Sequence, residues 1–297
     1  MDVGEQVRRR SARGPPAAAL RRGHSTVAHP RTSYALSRFE DGEGSEVLIL
    51  LHGLGGTHRY WTCGSVPFSI SNHRRVLLDL LGFGASPRPW MRYTLDRHLA
   101  ALDVTLARES RVTLVGHSLG AALALAYAAR WPERVVRLVL ISPPCFQGVG
   151  GAAAWFAQQP GGWIYTNLWA TALACFITRR IAGRLLPRLL ADMPREVAED
   201  LVAHNMASSA TSLWEALYRH DLLGDAALLP PDIPVLVIHG ARDSTAPPDG
   251  TRLLAAGRGA WHLEMLEGQG HHPWLRAPKQ CLARIESWLR AVPSEAT

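Results

Sequence analysis

Cysteine is scarce in this chain of 297 residues and never clustered. The four are Cys63, Cys145, Cys175 and Cys281, with no C-x-x-C among them. That spacing excludes a disulfide framework and fits free thiols in a reduced, cytoplasmic setting. Long hydrophobic runs are missing as well. No stretch of roughly 18 uncharged apolar residues occurs, so no transmembrane helix and no stable membrane insertion is expected. The N-terminus has arginines but no apolar segment behind them, unlike a secretory signal. Basic–aromatic nucleic-acid motifs and zinc-ligand spacings are absent too, so nucleic acid is not an expected partner. His58, His73, His98, His204, His220, His239 and His262 have no partner at ligand spacing, and no metal is assigned.

What is present describes an ordinary globular chain, 47% apolar and 19% charged. The formal charge of +7 is largely local. Arg8, Arg9, Arg10, Arg13, Arg21, Arg22 and Arg31 all precede residue 32, and residues 1–30 read as a disordered basic tail. The rest is close to neutral, and its length suits one large α/β unit with an insertion, or two domains.

The pattern turns on Val112-Thr113-Leu114-Val115-Gly116-His117-Ser118-Leu119-Gly120. An apolar run stops at a glycine, a serine follows, then another glycine and an alanine-rich helical pattern. This is G-x-S-x-G with a strand before it and a helix after it. A serine at the tip of such a turn is strained, and its neighbours two residues away must lack bulk. The helix N-terminus behind it directs backbone N–H groups toward any negative charge that develops there.

Strands are expected at 33–40, 46–51, 75–80, 112–117, 135–141, 234–240 and 260–266. The first is expected to be antiparallel. Helices are expected at 94–108 with Thr94 as N-cap, from Ser118 to Trp131, at 249–257 and at 278–291. Alternation of this kind implies a doubly wound, mostly parallel sheet. Between 145 and 230 the alternation gives way to helices at 163–177, 181–190, 194–206 and 212–218. The 163–177 piece is apolar enough for a membrane surface but too short to span, and reads as a helix packed over a pocket. Trp61, Trp90, Trp163, Trp169 and Trp214 are candidates for lining an apolar pocket, but core packing explains most tryptophans.

A nucleophilic serine needs a base, and the base needs an orienting carboxylate. In a parallel sheet the residues just after the strands meet along one edge. Asp243 follows one strand, and His271 and His272 follow the last. His271 comes directly after Gly270. His272 precedes Pro273, which biases it to extended backbone and the loop wall, so His271 is the expected base.

Five segments in this order resemble the α/β-hydrolase fold family, in particular its capped, esterase-like members. They are His52-Gly53-Leu54-Gly55-Gly56, Asp79-Leu80-Leu81-Gly82-Phe83-Gly84, Gly116-His117-Ser118-Leu119-Gly120, Gly240-Ala241-Arg242-Asp243 and Gly268-Gln269-Gly270-His271. The resemblance covers about residues 35–291. It implies a core of 31–144 and 231–297 and a helical cap at 145–230. It implies a Ser118–His271–Asp243 triad with an oxyanion hole at the N–H groups of Leu54 and Leu119, and no cofactor. Residues 141–150 hold no acid, which leaves Asp243 for the acid role. His52 is expected to shape the oxyanion loop, His117 to pack beside the elbow, and Asp79 to tie loops together. A serine at the elbow argues against dehalogenases and epoxide hydrolases, which carry aspartate there. The implied reaction is hydrolysis of a small apolar ester or acyl substrate. Carbon–carbon hydrolysis of a diketone-like substrate and acyl transfer share the same triad. A non-catalytic binding relative is the alternative from another class, and the complete Ser–His–Asp set argues against it.

Overall fold

The computed structural model describes residues 34–180, 193–203 and 205–292. Seven strands form one sheet: β1 (Arg38–Asp41), β2 (Glu46–Leu51), β3 (His73–Leu78), β4 (Val112–His117), β5 (Val135–Ile141), β6 (Val235–Gly240) and β7 (Trp261–Leu266). Their spatial order is β1-β3-β2-β4-β5-β6-β7. Only the β1–β3 pair is antiparallel. This is the α/β-hydrolase fold, with helices on both faces.

The apolar runs are continuous because both faces of the sheet are covered. Ile49 and Leu51 of β2, with Val235 and Val237 of β6, enter one core. Leu48 and Leu50, with Leu236 and Ile238, enter the other. That is the two-residue period of a pleated strand. The first core is closed by α2 (Leu95–Thr105) and α3 (Leu119–Arg130), and the second by α12 (Pro278–Ala291), the last helix among the described residues. Thr94 caps α2 by accepting the Arg97 N–H.

The expected strand at 75–80 is displaced. β3 spans His73–Leu78, because pairing with β2 begins at Glu46 opposite His73. Asp79 and Leu80 have left the ladder: the Asp79 carboxylate accepts the N–H groups of His58 and Ala85, and the Leu80 N–H goes to His52 Nε2. The edge strand is shorter than 33–40 and begins at Arg38.

The chain between β5 and β6 is helical, with more breaks than the periodicity predicts. It contains α4 (Gly148–Ala157), α5 (Trp163–Thr166), α6 (Leu168–Arg180), α7 (Arg195–Ala203), α8 (Met206–Ser212) with a π-helical extension (Leu213–Tyr218), and α9 (Leu222–Leu228). The helix expected at 163–177 is interrupted at Asn167. That residue adopts an extended backbone, and its Oδ1 accepts the Ala170 N–H. The helix expected at 194–206 ends at Ala203, and Asn205 caps the next by accepting the Ala207 N–H. Both breaks are side-chain caps competing with helix continuation. Helix α4 was not expected, since Gly148, Gly150 and Gly151 lower helix propensity. The basic tail at 1–30 and the helix expected at 181–190 lie outside the described residues. One anchor of the insertion is Asp200 on α7, which accepts the Thr57 hydroxyl at 2.5 Å and pairs with Arg59 beside the loop after β2.

Candidate active site

Ser118 sits between β4 and α3 with φ 51° and ψ −113°. A non-glycine residue in that region is strained, at a cost on the order of 1–3 kcal/mol, and persists only where its surroundings enforce it. Here a backbone bond from Ser118 N–H to the Ile141 carbonyl holds it at 2.9 Å. The flanking glycines have separate reasons. A Cβ on Gly116 would collide with the Gly120 backbone, and one on Gly120 with the Leu51 and His52 carbonyls at the end of β2. The turn is therefore packed against itself and against the neighbouring strand.

Asp243 follows β6. Its Oδ1 accepts the backbone N–H groups of Thr245 at 2.7 Å and Ala246 at 2.9 Å. Its Oδ2 faces two imidazoles, His271 Nδ1 at 2.8 Å and His239 Nε2 at 3.1 Å. Burial alone would raise this carboxyl. The charge of His271 and the hydrogen bonds from His239 and His271 outweigh burial and hold it well below the usual carboxylate range. An ionised carboxylate only accepts, so His271 Nδ1 carries the proton and donates. The other nitrogen, Nε2, then accepts from the Ser118 hydroxyl at 2.9 Å.

His271, rather than His272, reaches Ser118. The His272 ring packs 5.0 Å from His117 and 5.9 Å from Tyr60. Burial, and then the His271 charge, push His272 down to about 3. His117 stacks on Tyr60 at 4.5 Å, and its Nε2 donates to the His271 carbonyl at 2.9 Å, fixing the loop that carries His271. Burial keeps His117 well below its ordinary value, so it is neutral.

His239 was missed as a partner of this site. It lies on β6, four residues before Asp243, and is fully buried. Its Nε2 donates to Asp243, and its Nδ1 accepts from the Thr251 hydroxyl at 2.9 Å. Its strand position beside an expected acid was the only available signal.

The loop after β2 closes the other side. His52 Nε2 accepts the Leu80 N–H at 2.9 Å, and its Nδ1 donates to the Gly53 carbonyl at 2.7 Å. Burial lowers its pKa, consistent with that neutral, bridging role. Gly53 lies so near the elbow that a Cβ there would stand 3.3 Å from Ser118 Cβ and 2.7 Å from His117 Nδ1. Leu54 follows it, in the wall of the cavity above Ser118. Leu119 is the first residue of α3, where the helix supplies its own N–H group with no internal acceptor.

That cavity has a volume of about 270 Å³. Ser118 and His271 contribute its polar edge, and Phe146, Phe156, Leu213 and Leu217 of the helical insertion are among its apolar walls. None of the five candidate tryptophans lines it. Trp61 is core, Trp214 is partly buried, and Trp90, Trp163 and Trp169 are exposed. Among the described residues no cluster of His, Cys, Asp or Glu could hold a metal ion.

These buried histidines have a consequence for stability. His98 and His272 are both pushed down to about 3, chiefly by burial, and His117 is also well below 6.5. Unfolding frees each to bind a proton near its ordinary value. Their contribution is therefore fully present above about pH 6.5 and lost as the pH falls toward 3. Each histidine adds a slope approaching about 1.4 kcal/mol per pH unit. The urea midpoint is expected to fall steadily from pH 7 to pH 4.5. A flat midpoint over that range would contradict neutral burial.

A sequence model of the alpha/beta hydrolase fold matches residues 46–275. The chain belongs to the α/β-hydrolase fold family. It is 29% identical over 283 residues to an uncharacterized protein of Mycobacterium tuberculosis, covering 87% of this chain and 80% of that one. It is 26% identical to the mouse (lyso)-N-acylphosphatidylethanolamine lipase over 82% of this chain and 79% of the relative. Among solved structures it is similar to a hydrolase from Pseudomonas aeruginosa PA01. The TM-score is 0.69 at 26% identity, covering 88% of this α/β hydrolase and 96% of that chain.

Proposed function

We propose that this α/β hydrolase is a serine esterase that cleaves carboxylic esters of apolar acyl groups. The observation that carries the reading is the position of His271, 2.9 Å from Ser118 Oγ and 2.8 Å from Asp243 Oδ2. Ser118 Oγ attacks the ester carbonyl carbon as its proton passes to His271 Nε2. Asp243 holds the imidazole in the accepting tautomer and stabilises the imidazolium that forms. The N–H groups of Leu54 and Leu119 take the charge on the carbonyl oxygen. The alcohol leaves with the proton from His271. Water then attacks the acyl-serine with His271 as base, and the carboxylic acid departs.

The apolar walls set the acyl preference. A volume of about 270 Å³ lies at the small end of ligand pockets. Each methylene that finds a place there contributes about 0.8 kcal/mol, or roughly fourfold in kcat/KM. The test is a series of p-nitrophenyl esters from acetate upward, with a diketone beside it. Activity is expected to climb from acetate, peak at a medium chain and drop once the cavity is full. A flat or falling series would contradict an apolar acyl site, and turnover of the diketone alone would overturn the ester reading.

A cytoplasmic setting fits the thiols. Cys63, Cys145 and Cys281 are free. Burial pushes Cys145 up to about 11 and Cys281 up to about 12, which leaves both unreactive. No helix among the described residues is long and apolar enough to cross a membrane.

A further inference from the structure

The helical insertion turns an apolar face to solvent that the cavity does not use. On α6, Trp169 is 82% exposed, Leu173 58% and Ile177 42%. Their spacing of four residues keeps them on one side of the helix. On α5, just before it, Trp163 is 64% exposed. The other side of the same helix pair is engaged. Thr171 is buried in the cavity wall, and the Tyr165 ring stacks 5.1 Å from Phe156, which lines the same cavity. The exposed face therefore lies on the outer side of elements whose inner side bounds the cavity above Ser118.

Charge identifies the occupant. Residues 161–180 contain two arginines, Arg179 and Arg180 at the end of α6, and no Asp, Glu or Lys. Within the same stretch the apolar residues include two tryptophans and a tyrosine, the side chains that favour the boundary between headgroups and hydrocarbon. Cationic residues in the same helix as such a face are drawn to anionic lipid, at about 1 kcal/mol each near the surface. Helix α6 has 13 residues and is about 20 Å long. That is shorter than the hydrocarbon core of about 30 Å, so it is too short to cross one.

We propose that the exposed face of α5 and α6 docks the protein on an anionic bilayer surface and lays the wall of the cavity against the lipid. This goes beyond the ester chemistry and does not depend on it. The test is sedimentation of the full chain with vesicles of phosphatidylcholine, alone or mixed with phosphatidylglycerol. Wild type is expected to bind the mixed vesicles and to leave the neutral ones largely free. The double variant Trp169→Glu, Leu173→Glu alters two exposed side chains outside the cavity. It is expected to lose at least about tenfold in partitioning with an unchanged circular dichroism spectrum and melting midpoint. Trp90→Glu, an equally exposed tryptophan on the core, is expected to bind as wild type. The proposal is overturned if wild type binds neither vesicle, or if the double variant binds as well as wild type. It is also overturned if light scattering shows a dimer that the double variant dissolves, since a second copy would then be the occupant.

Discussion

Ser118→Ala is expected to lower kcat by about 10⁴-fold or more while leaving the fold intact. The hydroxyl is the nucleophile in the proposed reaction. Its loss removes the hydrogen bond to His271 Nε2 and little else, since the elbow is held by the backbone bond to Ile141 and by the close packing of Gly116 and Gly120. Alanine meets the same φ of 51° as serine does, so the strain is unchanged. The check is kcat on the best ester of the series alongside a thermal melt. An alanine variant retaining more than a few per cent of activity would remove Ser118 from the chemistry.

Asp243→Asn is expected to cost about 10³- to 10⁴-fold in kcat near neutral pH, because it reverses a tautomer. The carboxylate accepts four hydrogen bonds, two from backbone N–H groups on Oδ1 and two from imidazoles on Oδ2. An amide keeps one accepting oxygen. If that oxygen stays with Thr245 and Ala246, the NH₂ group meets His271 and His239. His271 Nδ1 must then become an acceptor and Nε2 a donor, so the imidazole can no longer take the serine proton. Because Asp243 stays ionised far below neutral pH, its own titration does not limit wild-type activity there. A loss below about tenfold would mean that the carboxylate does not set the tautomer.

Much of this arrangement is legible in the chain. The runs at 46–51, 112–117 and 135–141 are mainly apolar because their strands are covered on both sides, and their limits match the structure. The meeting of Ser118, Asp243 and His271 follows from strand register. β4, β5, β6 and β7 are neighbours, with Gly116 opposite Leu140, Ile141 opposite Ile238 and Gly240 opposite Leu266. Residues just beyond those ends have to converge. Other features depend on contacts between distant segments. The two-residue displacement of β3 follows from its pairing with β2 and from Asp79 binding the His58 and Ala85 N–H groups. The breaks at Asn167 and Asn205 turn on single side chains that cap where an apolar pattern alone would continue. His239 enters the site because the chain turns back after Gly240, where the Asp243 N–H bonds the Gly240 carbonyl, and brings the carboxylate against the end of β6. Core packing holds for Trp61 but not for the exposed Trp90, Trp163 and Trp169, because bulk and apolarity do not say whether a residue faces core, cavity or solvent.

The central claim is that Ser118 is an activated nucleophile, and its most direct test is covalent. Purified protein is treated with a fluorophosphonate ester, digested and mapped by mass spectrometry, with Ser118→Ala treated in parallel. One adduct is expected, on Ser118, formed in step with the loss of esterase activity and absent from the alanine variant. Full modification of another residue, or an active enzyme that forms no adduct at Ser118, would contradict it.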